Sequence, residues 1–221
     1  MSAVEEATAQ SSRFADLSLG EFVDRLASSD PVPGGGSASA VAAALAASLV
    51  AMVARLSEDR PKYAQHADLH RSSEASGRRL TRAFLALADE DAIAYARFAD
   101  ALKLPRDTDA QRQARSNALQ AAARGAAEIP LAMVGACQEL VRLAESLAGR
   151  SNQNASSDLS VAALLGEAAA QGAAQNVLVN LPAMGDEATA GRMAARVDEL
   201  LPDIERASRA TRDIVRAGTL R

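Results

Sequence analysis

Asp91 sits in an apolar row. Counting by threes and fours gives Leu69, Ser73, Ser76, Leu80, Phe84, Leu87, Asp91, Ala94, Phe98 and Leu102, the spacing of one helix face. An ionised carboxylate on a core-facing row costs several kcal/mol unless it is paired or solvated. Two readings follow. Either the helix turns this residue outward as an ordinary surface charge, or the carboxylate is held in a semi-buried cleft, where it accepts a proton or stabilises a positive centre.

Two other clusters have chemical capacity. Pro33-Gly34-Gly35-Gly36-Ser37 opens a stretch with no charge until Arg55. Each glycine costs roughly 1 kcal/mol against alanine inside a helix, so the three belong at or just before a helix N-terminus. There they are expected to adopt backbone conformations closed to other residues, and the exposed N–H groups suit an anion or a carbonyl. The pattern is not a nucleotide loop: it lacks GxxxxGK[ST], and no strand-like run precedes it. The second cluster is carboxamide-rich. Ser151 to Asp158 reads SNQNASSD, full of side chains that bond locally in turns and caps. In the helix that follows, Gln171 and Gln175 share a face, as do Asn176 and Asn180. Buried amides need partners, which are either other helices or a polar ligand. Asp158 is a candidate helix N-cap.

The elements that must position these groups are all helical. Ser18-Leu19-Gly20-Glu21 is a capping-box pattern. Pro31 and Pro33 end its short helix, and an Ala-rich helix with almost no charge runs to Arg55. Pro61 starts a long helix ending near Lys103. After Leu104-Pro105-Arg106-Asp107, another runs from about Asp109 to Gly149, kinked at Pro130, with a small-residue stripe through Ala118, Ala122, Gly125, Ile129, Met133, Ala136, Leu140 and Leu147. A largely buried helix and a final amphipathic one, from about Asp186 to Ala217, complete an all-α bundle of long, partly kinked helices. Residues 1–17 read as a disordered tail and residues 18–221 as one domain.

Composition narrows the function. The chain has 221 residues, 48% hydrophobic but only 3% aromatic, so the core is close-packed Ala, Leu and Val. A formal net charge of −4 provides no global attraction to nucleic acid or to an anionic membrane. The uncharged stretch is dominated by alanine, too weak a drive for membrane insertion. A single cysteine, Cys137, and two histidines, His66 and His70, argue against a disulfide or a zinc site and fit a reducing, cytoplasmic compartment. Helices this poor in charge imply an obligate homodimer.

In order, FVDRLASSDPVPGGGS, PKY, DEDAIAYARFADALKLPR, EIPLAMV, SNQNASSDLSVAAL and AAQNVLVNL resemble the cyclodeaminase/cyclohydrolase family, over about Leu19 to Asp186. The resemblance implies a helical, dimeric enzyme acting on a tetrahydrofolate derivative, with no metal or redox cofactor. The implied activity is hydrolysis of 5,10-methenyltetrahydrofolate to 10-formyltetrahydrofolate. A formiminotetrahydrofolate cyclodeaminase and a non-catalytic helical assembly module are the alternatives. The resemblance assigns Asp91, Lys62 and Tyr63 to catalysis. To substrate binding it assigns Pro33, Gly34, Gly35, Gly36, Ser37, Asn152, Asn154, Asp158, Asn176 and Asn180, together with Arg106, in KLPR where relatives often read GLPK.

Overall fold

The computed structural model describes residues 13–221. Six α-helices follow one another: α1 Leu19–Leu26, α2 Gly35–Arg55, α3 Ala67–Leu102, α4 Asp109–Leu147, α5 Ser156–Asn180 and α6 Glu187–Ala217. Short 3₁₀ turns precede α1, α3 and α5 and follow α5. Among the described residues there is no strand.

Contacts between α2 and α3, α3 and α4, α4 and α5, and α5 and α2 close a four-helix ring, and α6 lies in the outer groove between α4 and α5. Small residues make the ring tight. A Cβ on Gly77 of α3 would come within 2.9 Å of the Ala47 carbonyl of α2, and Ala40, Ala43, Ala46 and Ala47 of α2 are fully covered or nearly so. Leu80, Phe84, Met133, Leu140, Leu147, Leu159 and Leu200 supply the bulk of the core, each worth roughly 1.5–3 kcal/mol on burial. By length and hydropathy α2 passes for a membrane span, yet most of it is buried inside this bundle, as a core helix would be.

Local signals set the boundaries. Ser18 and Glu21 close a capping box at α1, and Thr108 with Gln111 closes another at α4. Asp186 caps α6 by accepting from the Thr189 N–H. Gly218, left-handed at φ 63, ends it.

Three expectations are corrected. The buried row of α4 is Ala123, Ala127, Pro130, Met133, Val134, Cys137, Leu140, Val141, Ala144 and Leu147. Before Met133 it runs one residue out of phase with the row read from the sequence, because helices α3 and α5 cover α4 from two sides and an alanine-rich segment carries little phase information. The tail ends sooner than residue 17. Phe14–Asp16 forms a 3₁₀ turn, the Phe14 ring packs edge-on to Phe22 at 5.6 Å, and the Phe14 N–H donates to Asp89 at 2.8 Å. The rest of that tail, residues 1–12, lies outside the described residues. Finally, Gly34, Gly35 and Gly36 do not take left-handed backbone. Among described glycines that conformation is confined to Gly149, Gly185 and Gly218.

Candidate functional site

Helix α2 begins without a cap of its own. Its N-cap, Gly34, has no side chain to accept from the first N–H groups, which are orphaned at any helix start. Asp91, reaching across from α3, takes that place. The Ser37 hydroxyl lies 3.2 Å from both Asp91 Oδ2 and the Ala88 carbonyl. Gly36 makes the approach possible: a Cβ there would overlap the Asp91 carboxylate, whereas one on Gly35 would meet nothing within 4 Å. The glycines therefore serve close approach rather than backbone freedom. The Val32–Pro33 peptide bond leading into them is cis, and Pro33 and Ser37 are buried beside them.

Burial pushes the Asp91 carboxyl above the ordinary carboxylate range, and hydrogen bonds from the Ser37 side chain and backbone pull it only part of the way back. A carboxyl in this state exchanges a proton more readily near neutrality than a solvated one does. It faces a cleft of about 340 Å³, at the small end of the range for ligand sites. The glycine turn forms one wall. Ala94, Tyr95 and Phe98 of α3 form a second, and Asn176, Val179 and Asn180 of α5, with Ala126 of α4, form a third. Among the described residues no lysine or arginine lines it.

The two asparagines are held by their amino groups. Asn176 Nδ2 donates to the Gly172 carbonyl at 3.2 Å. Asn180 Nδ2 donates to the carbonyls of Ala126 at 3.2 Å and Asn176 at 2.7 Å. The other carboxamide pair does different work: Gln171 donates to Glu205 of α6 at 2.7 Å, and Gln175 is exposed.

The remaining residues assigned from the resemblance, Arg106 apart, gather at the opposite end of α2. A 21-residue helix separates the two groups by roughly 30 Å, at 1.5 Å per residue. There the Tyr63 hydroxyl accepts from the Gln153 N–H at 3.1 Å. Lys62 Nζ donates to Gln153 Oε1 at 2.7 Å and lies 5.5 Å from the Tyr63 ring centre. Asn152 is buried. Its N–H donates to Ser57 Oγ at 2.8 Å, and its Oδ1 accepts from the Asn154 N–H at 3.1 Å. A relay joining Lys62 and Tyr63 to Asp91 is thus not assembled within one chain, because α2 is a rigid spacer between them. Asp158 lies in the first turn of α5, whose N-cap is Ala155, so it complements the helix dipole rather than capping. Arg106 is exposed on the α3–α4 connection, away from the cleft lining. Its carbonyl accepts from Arg112 at 3.1 Å.

Tyr95, Val179, Val32 and Ala126 are the lining residues that sequence reasoning did not single out. A signal for the first existed: Asp91, Tyr95 and Phe98 stand at i, i+4 and i+7, one face of α3. Cys137 is no nucleophile, since burial pushes its thiol up to about 12.

A family model described as formiminotransferase-cyclodeaminase matches residues 18–199. A methenyltetrahydrofolate cyclohydrolase of Methylorubrum extorquens is 38% identical over 183 residues, 82% of this chain and 88% of the relative. A formimidoyltransferase-cyclodeaminase of Mus musculus is 35% identical over 195 residues, 85% of this chain but only 35% of that longer protein. Among solved structures, a formiminotetrahydrofolate cyclodeaminase from Thermotoga maritima superposes with a TM-score of 0.83 at 28% identity, covering 92% of this chain and 98% of that one.

Proposed function

The chain belongs to the formiminotransferase-cyclodeaminase family, and from that premise we propose that it is a methenyltetrahydrofolate cyclohydrolase. It converts 5,10-methenyltetrahydrofolate and water to 10-formyltetrahydrofolate. The observation that carries this reading is the half-buried Asp91 carboxyl, raised in pKa and facing a cleft lined by no lysine or arginine. The bridging carbon of the substrate shares a positive charge with two nitrogens, and this carboxylate is suited to stabilise it.

The steps follow from that placement. Water adds to the bridging carbon and gives a proton to Asp91, leaving a neutral tetrahedral adduct. The C–N5 bond then breaks as Asp91 returns the proton to N5. The adduct hydroxyl loses its proton to solvent and becomes the formyl carbonyl. One water is consumed and one proton released. Ser37 keeps the carboxylate oriented through both transfers, and the walls formed by Tyr95, Phe98 and Val179 offer apolar surface to a flat ring system.

A second reading is favoured by the likeness to the Thermotoga maritima cyclodeaminase. There the same carboxyl would assist ring closure of a formimino group with release of ammonia. Supplying 5,10-methenyltetrahydrofolate and 5-formiminotetrahydrofolate separately to the purified chain, and following methenyl absorbance and ammonia, decides between them. Loss of the methenyl band faster than in buffer supports the hydrolase. Appearance of the band with ammonia supports the deaminase, and neither change rejects both.

An obligate homodimer in the cytoplasm completes the proposal. Leu45 and Met52 of α2, with Val161, Leu164, Leu178 and Val179 of α5, are exposed apolar residues on neighbouring helices, the kind of surface a partner copy covers. Sedimentation showing a stable folded monomer at micromolar concentration would reject the dimer.

A further inference from the structure

A second groove matches the Asp91 cleft in size and opposes it in sign. It occupies about 350 Å³ between α2 and α3. Ser48, its α2 residue nearest the glycine turn, lies roughly 18 Å along the helix from Gly36, at 1.5 Å per residue. Arg55 of α2 and Arg78 and Arg82 of α3 line the groove, and Glu74 is the one carboxylate among the lining residues. Three guanidinium groups against one carboxylate leave a local positive surplus in a chain whose formal net charge is −4.

Glu74 does not use up these donors. Arg78 Nε donates to its Oε1 at 2.9 Å, and Arg55 reaches the same atom only at 3.5 Å, beyond the ordinary range of such a bond. The terminal nitrogens of Arg78 and the whole Arg82 guanidinium meet no acceptor among the described residues. Arg78 and Arg82 also stand four residues apart on one helix, where like charges repel. An anion held between them removes that repulsion. Ala51 and Met52 add apolar surface, and the Ser48 and Thr81 hydroxyls, 3.1 Å apart, join the two helices at one end.

We propose that this groove binds a phosphate group, free or esterified, as a site separate from the Asp91 cleft. A phosphomonoester carries nearly two negative charges at pH 7, which balances three guanidinium groups less one carboxylate. Each planar guanidinium fork can pair with two phosphate oxygens at once. Inorganic phosphate has the same oxygens but nothing to lay on Ala51 and Met52, so an ester on a small organic molecule is the favoured source. Met52 also belongs to the apolar face offered to a partner copy, but Arg78 and Arg82 belong to α3, outside that face. A ligand bridging the two helices stabilises the folded chain. The inference does not depend on the reaction assigned to Asp91.

The test adds phenyl phosphate, inorganic phosphate, benzoate or phenol to the full chain at one ionic strength, so that screening is constant. Binding is read by titration calorimetry and by melting temperature. Phenyl phosphate should saturate, raise the melting temperature, and bind at least about tenfold more tightly than benzoate or phenol. Arg78→Gln and Arg82→Gln should each weaken it at least about tenfold, as loss of a charged hydrogen bond does. Arg82→Lys, which keeps the charge but not the fork, should weaken it less. Arg209→Gln, at an exposed arginine of α6, should leave it unchanged. Inorganic phosphate binding as tightly as phenyl phosphate would uphold the site and make the free ion its ligand. No saturable binding of phenyl phosphate, an equal response to benzoate or phenol, or an equal loss in Arg209→Gln would overturn the proposal. So would displacement of phenyl phosphate by methenyltetrahydrofolate, which would make the groove part of the Asp91 site. The wild-type ranking decides even if a groove variant fails to fold.

Discussion

The two ends of helix α2 are built from similar polar residues and put them to different use. At the C-terminal end, Ser57, Tyr63, Asn152, Gln153 and Asn154 bond to one another and to the backbone, and the Asn152 oxygen, the Tyr63 hydroxyl and the Ser57 hydroxyl are all engaged. At the N-terminal end, Asp91, Asn176 and Asn180 are held in place but keep acceptor capacity facing a cleft. Saturated polar groups tie two elements together. Held but unsaturated ones can receive a ligand, which makes the N-terminal end the candidate for chemistry.

The strongest test of that contrast is a single methyl group. Gly36→Ala should displace the Asp91 carboxylate, lowering kcat by about 10²- to 10⁴-fold, the range for a lost general acid or base. Gly35→Ala, whose Cβ meets nothing, should stay within about twofold, the change there being an exposed methyl. Equal kcat in the two variants would show that the glycine turn does not position the acid.

Asp91→Asn should bring a comparable loss of kcat, about 10²-fold or more, because Asn still accepts from Ser37 but cannot carry the proton. Its stability should change the other way. Burial raises the folded-state pKa of Asp91, so the wild type is favoured below the unfolded carboxylate pKa and loses that advantage as pH rises through the higher folded value. The melting temperature of Asp91→Asn should therefore equal or exceed that of the wild type at neutral pH, and the gap should close in acid. Wild-type turnover in a destabilised Asp91→Asn protein would make Asp91 only a cap for α2.

At the other end the expected effects are smaller. Tyr63→Phe leaves the Gln153 N–H without its acceptor and should cost about 1 kcal/mol in denaturant unfolding, with kcat within a few fold. Lys62→Met, at an exposed side chain, should change stability by less than about 0.5 kcal/mol and kcat hardly at all. A hundredfold fall in kcat for Lys62→Met would break the comparison, because it would mean that the far end of a second copy completes the cleft. Mixed dimers of Lys62→Met and Asp91→Asn would then recover activity at one site.

A last measurement concerns α6, which packs in the groove between α4 and α5. The Thr189 side chain and backbone, then Arg124, hold Asp186 down to about 2. With the folded pKa depressed, this contribution is present above the unfolded carboxylate pKa and lost as pH falls toward the folded value. Asp186→Asn should lower the melting temperature slightly at pH 7 and not at all near pH 2, and an equal loss at both would remove the ionic part of this cap.

Much of this is legible in the sequence. Periodicity placed Asp91 on an apolar row, and proline, glycine and capping residues bounded the helices, because these signals act within a few residues along the chain. The resemblance supplied the family, and the comparisons agree with it. The same local signals failed wherever the answer depended on which helix comes next to which. An alanine-rich segment reads much the same on every face, so the phase of α4 before Met133 awaited its neighbours. Three glycines in a row announce that something must come close, but only the packing of α3 against α2 shows that it is the Asp91 carboxylate at Gly36. Nor does spacing tell a spent amide from a free one. Asn152 and Asn180 look alike in the sequence, and what separates them is the carboxamide oxygen: that of Asn152 accepts from the Asn154 N–H, whereas that of Asn180 accepts from no group among the described residues. Hydrogen-bond saturation is a property of neighbours brought together from distant parts of the chain, so only the tertiary structure shows which end of α2 keeps free acceptors facing a cleft.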